Sequence, residues 1–313
     1  MNELFLERMR EMLKDEYPAY LDRLNDPARK GLRINTLKIT PDDFFAYTNY
    51  ELEKSPFAKH GYYANIKSGV GFTPEHMAGF FYIQEPSASS AVTILNPKPG
   101  MKVLDMCAAP GSKSTQIAEM LEQEGLLVAN EIHPTRSHVL LENIERCGSA
   151  NTIVLNNDPK DISKAFPEFF DMVLCDAPCS GEGMFRKEDQ AVEQWSLENV
   201  QACALRQSYI LEEAYKCVKP GGTMVYSTCT FAIEENELCI QKYIQEHPDM
   251  HLVPIEVDFG RKAFDLGSHT DYARRIFPMD GGEGHFIAKL HKDGNLTEST
   301  KKVIQSQPLP KEA

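Results

Sequence analysis

Short apolar runs alternate with helical stretches along most of this chain, and this alternation limits the available folds more than any other feature. The runs that predict strands are KVLDM at 102–106, LLVANE at 126–131, TIVLNND at 152–158, DMVLCD at 171–176, TMVYS at 223–227, a short run near 251–255 and HFIAKL at 285–290. Strands that alternate with helices pair in parallel and are joined by right-handed crossovers. The sequence therefore predicts an α/β domain built on a mostly parallel sheet.

The residues before this alternation predict a second, smaller domain. Apolar positions between 3 and 24 fit two short helices broken at Pro18, because proline interrupts a helix. LRINTLKI at 32–39 alternates as a strand does, and Thr40 and Pro41 then supply a helix cap and a first helical residue. We expect an N-terminal α+β domain over 1–85, the α/β domain over 86–292 and a polar tail over 293–313.

The charge of the chain limits how it can meet a nucleic acid. A formal net charge of −13 over 313 residues argues against binding through bulk electrostatics. An enzyme with a local basic face is still compatible with that charge. The candidate bases for such a face are Arg29, Lys30, Arg33, Lys38, Lys113, Arg186, Lys187, Arg274 and Arg275.

The eight cysteines lack the short paired spacing of a disulfide framework, which favours a reducing, cytoplasmic location. The N-terminus mixes acids and bases without an apolar core, and no run of 18 apolar residues predicts a membrane span. A metal site is not expected, since there is no CxxC pair and the histidines are scattered. Six cysteines are expected to be buried as small hydrophobic side chains: Cys107, Cys147, Cys175, Cys203, Cys217 and Cys239.

The two remaining cysteines each follow the end of a buried strand. Pro178 cannot continue the strand DMVLCD, so Asp176 and Cys179 lie at its carboxyl end. Cys229 comes just after TMVYS in the same way. In open α/β sheets, ligands bind at the carboxyl ends of the strands. If the two strands are neighbours, both thiols face one crevice.

The loop from Asp105 to Ser114 follows the first strand and opens a helix, as a cofactor loop does. It matches neither a phosphate-binding P-loop nor the GxGxxG dinucleotide motif. Its small residues let a ligand approach the backbone closely. Glu131, at the end of the second strand, is placed to bind ribose hydroxyls, and Asp158, at the end of the third, to reach an adenine amine. This ordered set suits S-adenosylmethionine.

Two thiols beside such a cofactor site suggest chemistry on a pyrimidine ring. A thiolate adds readily to C6 of a pyrimidine, which makes C5 electron-rich enough to attack an electrophilic methyl group. Asp176 can hydrogen-bond N3 and the amino group of a cytosine and so stabilise the charge that develops. We therefore interpret the crevice as a candidate methyl-transfer site.

Three separated strings carry a resemblance to a known family: DMCAAPGSKS at 105–114, DAPCSGEGMF at 176–185 and YSTCTF at 226–231. In this order they resemble the Sun family of RNA cytosine-5 methyltransferases, and the resemblance runs from about Arg33 to Ala288. IQEPSA at 83–88 and FRKEDQAVEQWS at 185–196 are similar to the subgroup that modifies small-subunit ribosomal RNA. The resemblance implies a Rossmann-like methyltransferase domain with a mostly parallel seven-stranded sheet.

The resemblance also implies a reaction and the residues that perform it. The implied reaction moves a methyl group from S-adenosylmethionine to C5 of a cytosine in RNA, with 16S ribosomal RNA as the expected substrate, through a covalent adduct between Cys229 and C6. Cys179 helps to release the product, with Asp176 assisting. The implied cofactor-binding residues are Cys107, Ala108, Ala109, Pro110, Gly111, Ser112, Lys113, Glu131, Asp158 and Asp176. The protein is expected to act as a monomer, with the N-terminal domain contacting RNA.

Other functions remain open at this point. A DNA cytosine-5 methyltransferase uses the cysteine of its Pro-Cys pair as nucleophile, which here is Cys179. An amino-group methyltransferase generally carries a polar-Pro-Pro-aromatic signature, which DAPC at 176–179 does not match. The further alternatives are methylation of transfer RNA and a ribosome-assembly factor that binds RNA and cofactor without turnover. Two positions depart from the family pattern: GSK at 111–113 in place of GGK, and Met279 in place of a histidine.

Overall fold

Two sheets organise the chain, which the computed structural model describes over residues 1–66 and 69–296. The helices are α1 (Glu3–Leu13), α2 (Tyr17–Leu24), α3 (Pro41–Tyr47), α4 (Pro74–Met77), α5 (Ser90–Leu95), α6 (Ser112–Leu121), α7 (Pro134–Cys147), α8 (Pro159–Ala165), α9 (Asp189–Gln194), α10 (Leu197–Cys217) and α11 (Glu237–Glu246). The strands are β1 (Gly31–Ile34), β2 (Leu52–Lys54), β3 (Gly61–Ala64), β4 (Phe81–Ile83), β5 (Lys102–Asp105), β6 (Leu126–Asn130), β7 (Thr152–Leu155), β8 (Phe170–Asp176), β9 (Val218–Thr228), β10 (Met250–Leu252), β11 (Arg261–Lys262), β12 (Arg274–Ile276) and β13 (His285–Lys292). Most of the expected polar tail, from 297 onward, lies outside the described residues.

The larger sheet has the strand order β11-β12-β13-β9-β8-β5-β6-β7, with β10 paired to β13. Strands β5 to β9 are mutually parallel, and β13 runs antiparallel to β9. The α/β fold is therefore confirmed. Within the described residues the sheet has nine strands where seven were expected, because two short strands, β11 of two residues and β12 of three, extend its antiparallel edge.

The core explains why the middle residues of the two central strands, β5 and β8, are apolar on both faces. On β5, Val103 and Leu104 are fully buried and join different hydrophobic clusters, one on each face of the sheet. Val173 and Leu174 on β8 divide in the same way. Successive side chains of a strand point to opposite faces, so in a sheet covered by helices on both faces the polar residues of the central strands lie near the strand ends.

The order of the strands places a crevice beside β5. From β5 the chain builds β6 and β7 on one side and then returns to build β8 and β9 on the other. Ligands of open α/β sheets bind where the order reverses, at the carboxyl ends of the two central strands. Here that point lies between β5 and β8, directly above Asp105 and Asp176.

The N-terminal domain holds a four-stranded antiparallel sheet of order β2-β3-β1-β4. The predicted strand 32–39 ends early, at Ile34, because the Asn35 amide turns the chain by donating to the carbonyls of Gly79 and Cys147. The side chain of Thr40 caps α3 as predicted.

The break between the first two helices lies elsewhere than the sequence suggested. Helix α1 ends at Leu13, and Lys14 then adopts a φ of 49° before a short 3-10 turn. Pro18 lies in the first turn of α2, where a missing N–H costs nothing. The prediction of a break at Pro18 was therefore wrong.

An aromatic cluster joins the first two helices to the larger domain. The ring of Phe5 lies 4.8 Å from that of Phe185 and 5.7 Å from that of Trp195. Tyr20 meets Phe231, the second residue after Cys229, at 6.0 Å. Met279, one of the two departures from the family pattern, packs against this cluster. The N-terminal helices thus support the segments that carry both cysteines.

Three of the candidate arginines are not available to a nucleic acid. Arg33 pairs with Glu119, Arg275 with Glu237 and Arg186 with Glu283, and all six side chains are buried. Burial of an arginine requires a carboxylate partner, and this partner neutralises the positive charge of the guanidinium. The expectation that these three contribute to a basic face was therefore wrong. Within residues 1–66 and 69–296, no helix combines the length and the apolar character needed to cross a membrane.

Candidate active site

The two cysteine-bearing loops meet at the carboxyl edge of the sheet. Strands β8 and β9 are parallel neighbours, with Asp176 opposite Ser227. The Sγ atoms of Cys179 and Cys229 lie 3.2 Å apart, and the N–H of Cys229 donates to Cys179 Sγ at 3.3 Å. Both thiols therefore face one crevice.

Gly183 allows the two loops to approach each other. Its N–H donates to the carbonyl oxygen of Cys229 at 2.9 Å. A Cβ at this position would lie 2.9 Å from that oxygen and 2.7 Å from the carbonyl oxygen of Gly284. Any other residue would force the backbones apart, so the glycine is a requirement of the site geometry.

Asp176 is held in a fixed orientation beside the cysteines. Its carboxylate accepts hydrogen bonds from Lys113 Nζ and from Ser227 Oγ, both at 2.7 Å. Burial lowers the pKa of Lys113, but the ion pair with Asp176 outweighs it, so that this pKa is raised. The amine therefore stays charged and keeps its hydrogen bond to the carboxylate.

The environment of Cys179 favours the neutral thiol. The contact with Cys229 and burial together raise the pKa of Cys179 well above its usual value, and the charge of Glu235 adds to the effect. A thiol that keeps its proton is a poor nucleophile but can donate a proton or a hydrogen bond. The two cysteines are thus suited to different tasks.

A cavity of about 480 Å³ opens in front of the cysteines. It is lined by Met106, Cys107, Ala109, Asn130, Glu131, Ile132, His133, Arg136, Pro159, Asp176, Ala177, Pro178, Cys179, Arg206, Tyr209, Ile210 and Cys229. The lining brings together six of the candidate residues: Cys107, Ala109, Glu131, Asp176, Cys179 and Cys229. Its size is within the range of sites for small molecules and cofactors.

The rest of the loop between β5 and α6 forms a turn behind this cavity. The N–H of Ala108 donates to the carbonyl of Asn130 at 2.8 Å, and the carbonyl of Pro110 accepts from Tyr82 and Asn143. Gly111 has a φ of 112°, which favours glycine. Ser112 begins α6. These contacts fix the turn through its backbone, so its small side chains leave the cavity open.

The two acids predicted to bind a nucleoside differ in their positions. Glu131 lies in the cavity wall with its side chain 4% exposed, where it accepts from the N–H of His133 and lies 3.5 Å from Arg136. Asp158 caps α8 and accepts from the hydroxyl of Tyr209, which itself lines the cavity. The hydrogen bond from Tyr209 lowers the pKa of Asp158.

The donor set of the cavity fits S-adenosylmethionine. Apolar side chains of Ile132, Pro178 and Ile210 offer a surface to an adenine ring, while Glu131 offers a carboxylate to sugar hydroxyls. The carboxylate of Asp176 faces the same space and suits a cationic centre. Within the ranges described, no group of three or more His, Cys, Asp and Glu side chains is placed to hold a metal ion.

Two buried glutamates behind the cysteines were not singled out from the sequence. Glu182 accepts from the indole N–H of Trp195 at 2.8 Å and from the N–H of Phe231 at 2.9 Å. Glu235 contacts Ser180, the residue after Cys179. Burial raises the pKa of both carboxyls, that of Glu235 to about 7. In the sequence, the one indication was that an acidic residue lies within each segment that carries a cysteine. Acidic residues are usually exposed, so this indication did not predict that the two glutamates are buried.

Asp105 gives a pH-dependent prediction for stability. Burial raises its pKa to about 7, and only one of its oxygens is hydrogen-bonded, to Ser114. The unfolded chain ionises this group near pH 4, so the free energy of unfolding falls as pH rises from about 4 to about 7. In Asp105→Asn this loss, about 2–4 kcal/mol, is expected to disappear.

The measurement is urea unfolding of both proteins at pH 5 and pH 8. The amide creates its own cost, because its N–H₂ group lacks an acceptor, so the comparison uses the change with pH and not the stability at one pH. An equal pH-dependent change in the two proteins would contradict the prediction.

Comparison with known proteins identifies two matching family models. Residues 92–291 match the model described as 16S rRNA methyltransferase RsmB/F. Residues 1–86 match the model described as the N-terminal domain of 16S rRNA methyltransferase RsmF. Together these models span both sheets.

Individual relatives agree with the family models. A ribosomal RNA small subunit methyltransferase F from Vibrio cholerae is 40% identical over 93% of this chain and 63% of its own length. The protein of the same name from Erwinia tasmaniensis is 36% identical over 92% of this chain and 63% of its own length. A crystal structure of a methyltransferase homologue from Pyrococcus horikoshii has a TM-score of 0.80 and 30% identity, and covers 93% of this chain and 95% of that one. The chain spans less than two thirds of the length of the two curated relatives.

Proposed function

The chain belongs to the RsmB/F family of 16S rRNA methyltransferases, and we propose that it transfers a methyl group from S-adenosylmethionine to C5 of a cytosine in 16S ribosomal RNA. The observation that supports this reaction best is the pair of thiols 3.2 Å apart at the wall of a cofactor-sized cavity. Methyl transfer to an exocyclic amine needs no thiol. Addition to a pyrimidine ring followed by release of the product requires two steps, and each of the two thiols can serve one of them.

In the proposed mechanism, Cys229 is the nucleophile. A target cytosine is taken out of its stack, as chemistry on base atoms requires, and Cys229 adds to its C6. S-adenosylmethionine, when bound, supplies an electrophilic methyl group. Asp176, fixed by Lys113 and Ser227, accepts a hydrogen bond from the amino group of the base and so orients the ring, while the positive charge of Lys113 beside it offsets the negative charge that develops on the ring.

Cys179 completes the reaction by assisting release. After C5 is methylated, its proton must leave before the bond between Cys229 Sγ and C6 can break. The C5 proton passes to water, the C5=C6 bond re-forms and the Cys229 sulfur leaves C6 as a thiolate; Cys179, which lies next to that sulfur and carries a proton, stabilises the leaving thiolate by donating a hydrogen bond or its proton to it.

We propose that Glu131 binds the ribose hydroxyls of the cofactor. Glu131→Ala is expected to weaken the binding of S-adenosylhomocysteine about 10- to 100-fold, the usual loss for a hydrogen bond to a charged group. Isothermal titration calorimetry measures this without any RNA. The exposed Glu142 on α7 provides the control, since Glu142→Ala should bind as the wild type does. Equal affinities for all three proteins would contradict the assignment.

The substrate is tested by bisulfite sequencing of small-subunit ribosomal RNA from cells with and without the gene. A cytosine that resists conversion only when the gene is present would establish the reaction, the substrate and the position. A protected cytosine found only in transfer RNA would overturn the choice of substrate. Full conversion in both RNAs would favour the assembly factor that binds without turnover.

The N-terminal domain is proposed to contact the RNA. The local bases that are not consumed by buried ion pairs include Arg29, whose guanidinium stacks on Tyr63, and Arg206 in the cavity wall. The net charge of −13 means that such contacts must be local. We therefore expect docking to depend on the shape of the RNA near the cleft more than on long-range attraction.

A further inference from the structure

A buried glutamate behind the two cysteines connects their loops. Glu235 has no exposed surface and follows Cys229 by six positions. Its carboxylate accepts hydrogen bonds from the backbone N–H of Ser180, at 3.0 Å, and from the Ser180 hydroxyl, at 2.5 Å. Since Ser180 directly follows Cys179, these two bonds fix the backbone of the Cys179 loop.

Ser180 also contacts the second cysteine loop. Its hydroxyl oxygen lies 2.8 Å from Thr230 Oγ1, and Thr230 directly follows Cys229. Glu235, Ser180 and Thr230 therefore form a hydrogen-bonded chain between the residues that follow the two cysteines. We call these three residues the Glu235 bridge.

Helix α10 contributes a third contact. The Nε2 atom of Gln207 donates to the Glu235 carboxylate at 2.8 Å and to the carbonyl oxygen of Pro178 at 2.9 Å. Pro178 precedes Cys179, so Cys179 is fixed on both sides. Glu235 itself lies behind the loops and outside the cavity wall.

Building on the methyl transfer proposed above, we infer that Glu235 is a positioning residue: the Glu235 bridge holds Cys179 at the distance from Cys229 that release of the methylated product requires. Cys229 is anchored separately, because Asn236 bonds to the side chain of Thr228 and to the carbonyl of Thr230. Loss of Glu235 should therefore displace the Cys179 side chain more than the Cys229 side chain. The addition step should survive while release slows.

The charge of Glu235 matters as well as its shape. Three donors converge on its two oxygens, an arrangement that suits the ionised carboxylate. Burial raises the pKa of this carboxyl and the three donors lower it, with a result of about 7. The titratable groups that face it are Cys179 and Glu182 from the first loop, Cys203 on α10, Tyr226 on β9 and Cys239 on α11.

Glu235→Gln keeps the size of the side chain but replaces one acceptor oxygen with a donor. We expect the first methyl transfer to occur and release to slow by at least about tenfold, the effect of losing one buried hydrogen bond to a charged group. A denaturation-stable adduct of protein and methylated RNA should then accumulate. The KM values for RNA and S-adenosylmethionine should stay within about twofold of wild type, since Glu235 touches neither ligand.

Glu234→Gln is the matched control. The neighbouring glutamate pairs with Arg8 of α1 at 2.6 Å and contacts neither cysteine loop. This variant should release product at the wild-type rate. The inference fails if Glu235→Gln releases product at the same rate as Glu234→Gln. It also fails if the KM values of Glu235→Gln rise by the same factor by which its rate of product release falls.

Ser180→Ala removes fewer hydrogen bonds of the Glu235 bridge, because it deletes only the hydroxyl and keeps the hydrogen bond from the Ser180 backbone N–H to Glu235. It should accumulate the same adduct to a smaller extent. The double variant Ser180→Ala/Glu235→Gln should be no slower than Glu235→Gln alone, since both changes interrupt one chain. Additive losses would show that the two residues act independently and would overturn the inference.

A second readout does not depend on RNA. The charge of Glu235 raises the pKa of Cys179. In a Cys229→Ser background, Glu235→Gln should therefore speed alkylation of Cys179 by iodoacetamide at pH 8 by about threefold or more. An unchanged rate refutes the inference even if methylation occurs. A changed rate in a protein that methylates no RNA supports the bridge and refutes the proposed function.

Discussion

Replacing Cys229 with alanine is expected to lower the rate of RNA methylation by at least roughly 10⁴-fold, the scale of loss when an enzyme's nucleophile is removed. The reason is that the cytosine C5 is too weak a nucleophile until a thiolate has added to C6. Cys229 Sγ lies at the cavity wall, so its loss leaves the sheet and the cofactor loop unchanged. Cofactor affinity, measured by calorimetry, should stay at the wild-type value.

Covalent trapping separates the two thiols. Cys179→Ala should accumulate a covalent RNA adduct, whereas Cys229→Ala should form none. The opposite pattern would assign the nucleophile to Cys179, as in DNA cytosine-5 methyltransferases. Cys147→Ala is the control for loss of a buried cysteine, because this side chain lies at the end of α7 away from the cavity. It should retain methylation.

The largest expected effect on stability comes from Arg275. Its guanidinium donates to both oxygens of Glu237 and to the carbonyl of Phe231, and both charged side chains are at most 1% exposed. Arg275→Ala leaves the Glu237 carboxylate buried without its partner. We expect the free energy of unfolding to fall by about 3–5 kcal/mol, as for other broken buried ion pairs. Urea denaturation at neutral pH measures the loss.

Two further variants test this explanation. Arg275→Met/Glu237→Leu removes both charges and should be more stable than Arg275→Ala, because no unpaired charge remains buried. Arg8→Ala breaks a half-exposed pair with Glu234 and should cost at most about 1 kcal/mol. A double variant less stable than Arg275→Ala would show that packing, rather than the unpaired charge, dominates at this position.

The parts of the site that could be predicted are those defined by the ends of strands. An apolar run that stops at a proline or glycine marks its own carboxyl end, and parallel strands place all such ends at one edge of the sheet. Asp176, Cys179 and Cys229 were found in this way, and β8 and β9 proved to be neighbours. A single local pattern was sufficient, since the fold class then determines where the residues meet.

The parts that were missed depend on partners distant in the sequence. Arg33 and Arg275 read as surface charges because Glu119 and Glu237 reach them only in the folded protein. Glu235 was missed for the same reason, since its hydrogen bonds come from Ser180 and Gln207. The helix break at Lys14 reflects packing of Phe5 and its neighbours, which overrides the local signal from Pro18.

The aromatic cluster beneath the cysteine loops also constrains the order in which the protein can fold. Helices α1 and α2 are synthesised before the residues that cover their apolar faces, such as Trp195 and Phe231. The ion pair between Arg8 and Glu234 spans 226 positions. During synthesis on the ribosome, the apolar faces of these helices therefore stay exposed until most of the chain has emerged. Helices α1 and α2 are therefore among the last elements of this chain to reach their native contacts, and the geometry of both cysteine loops is completed at that same late step.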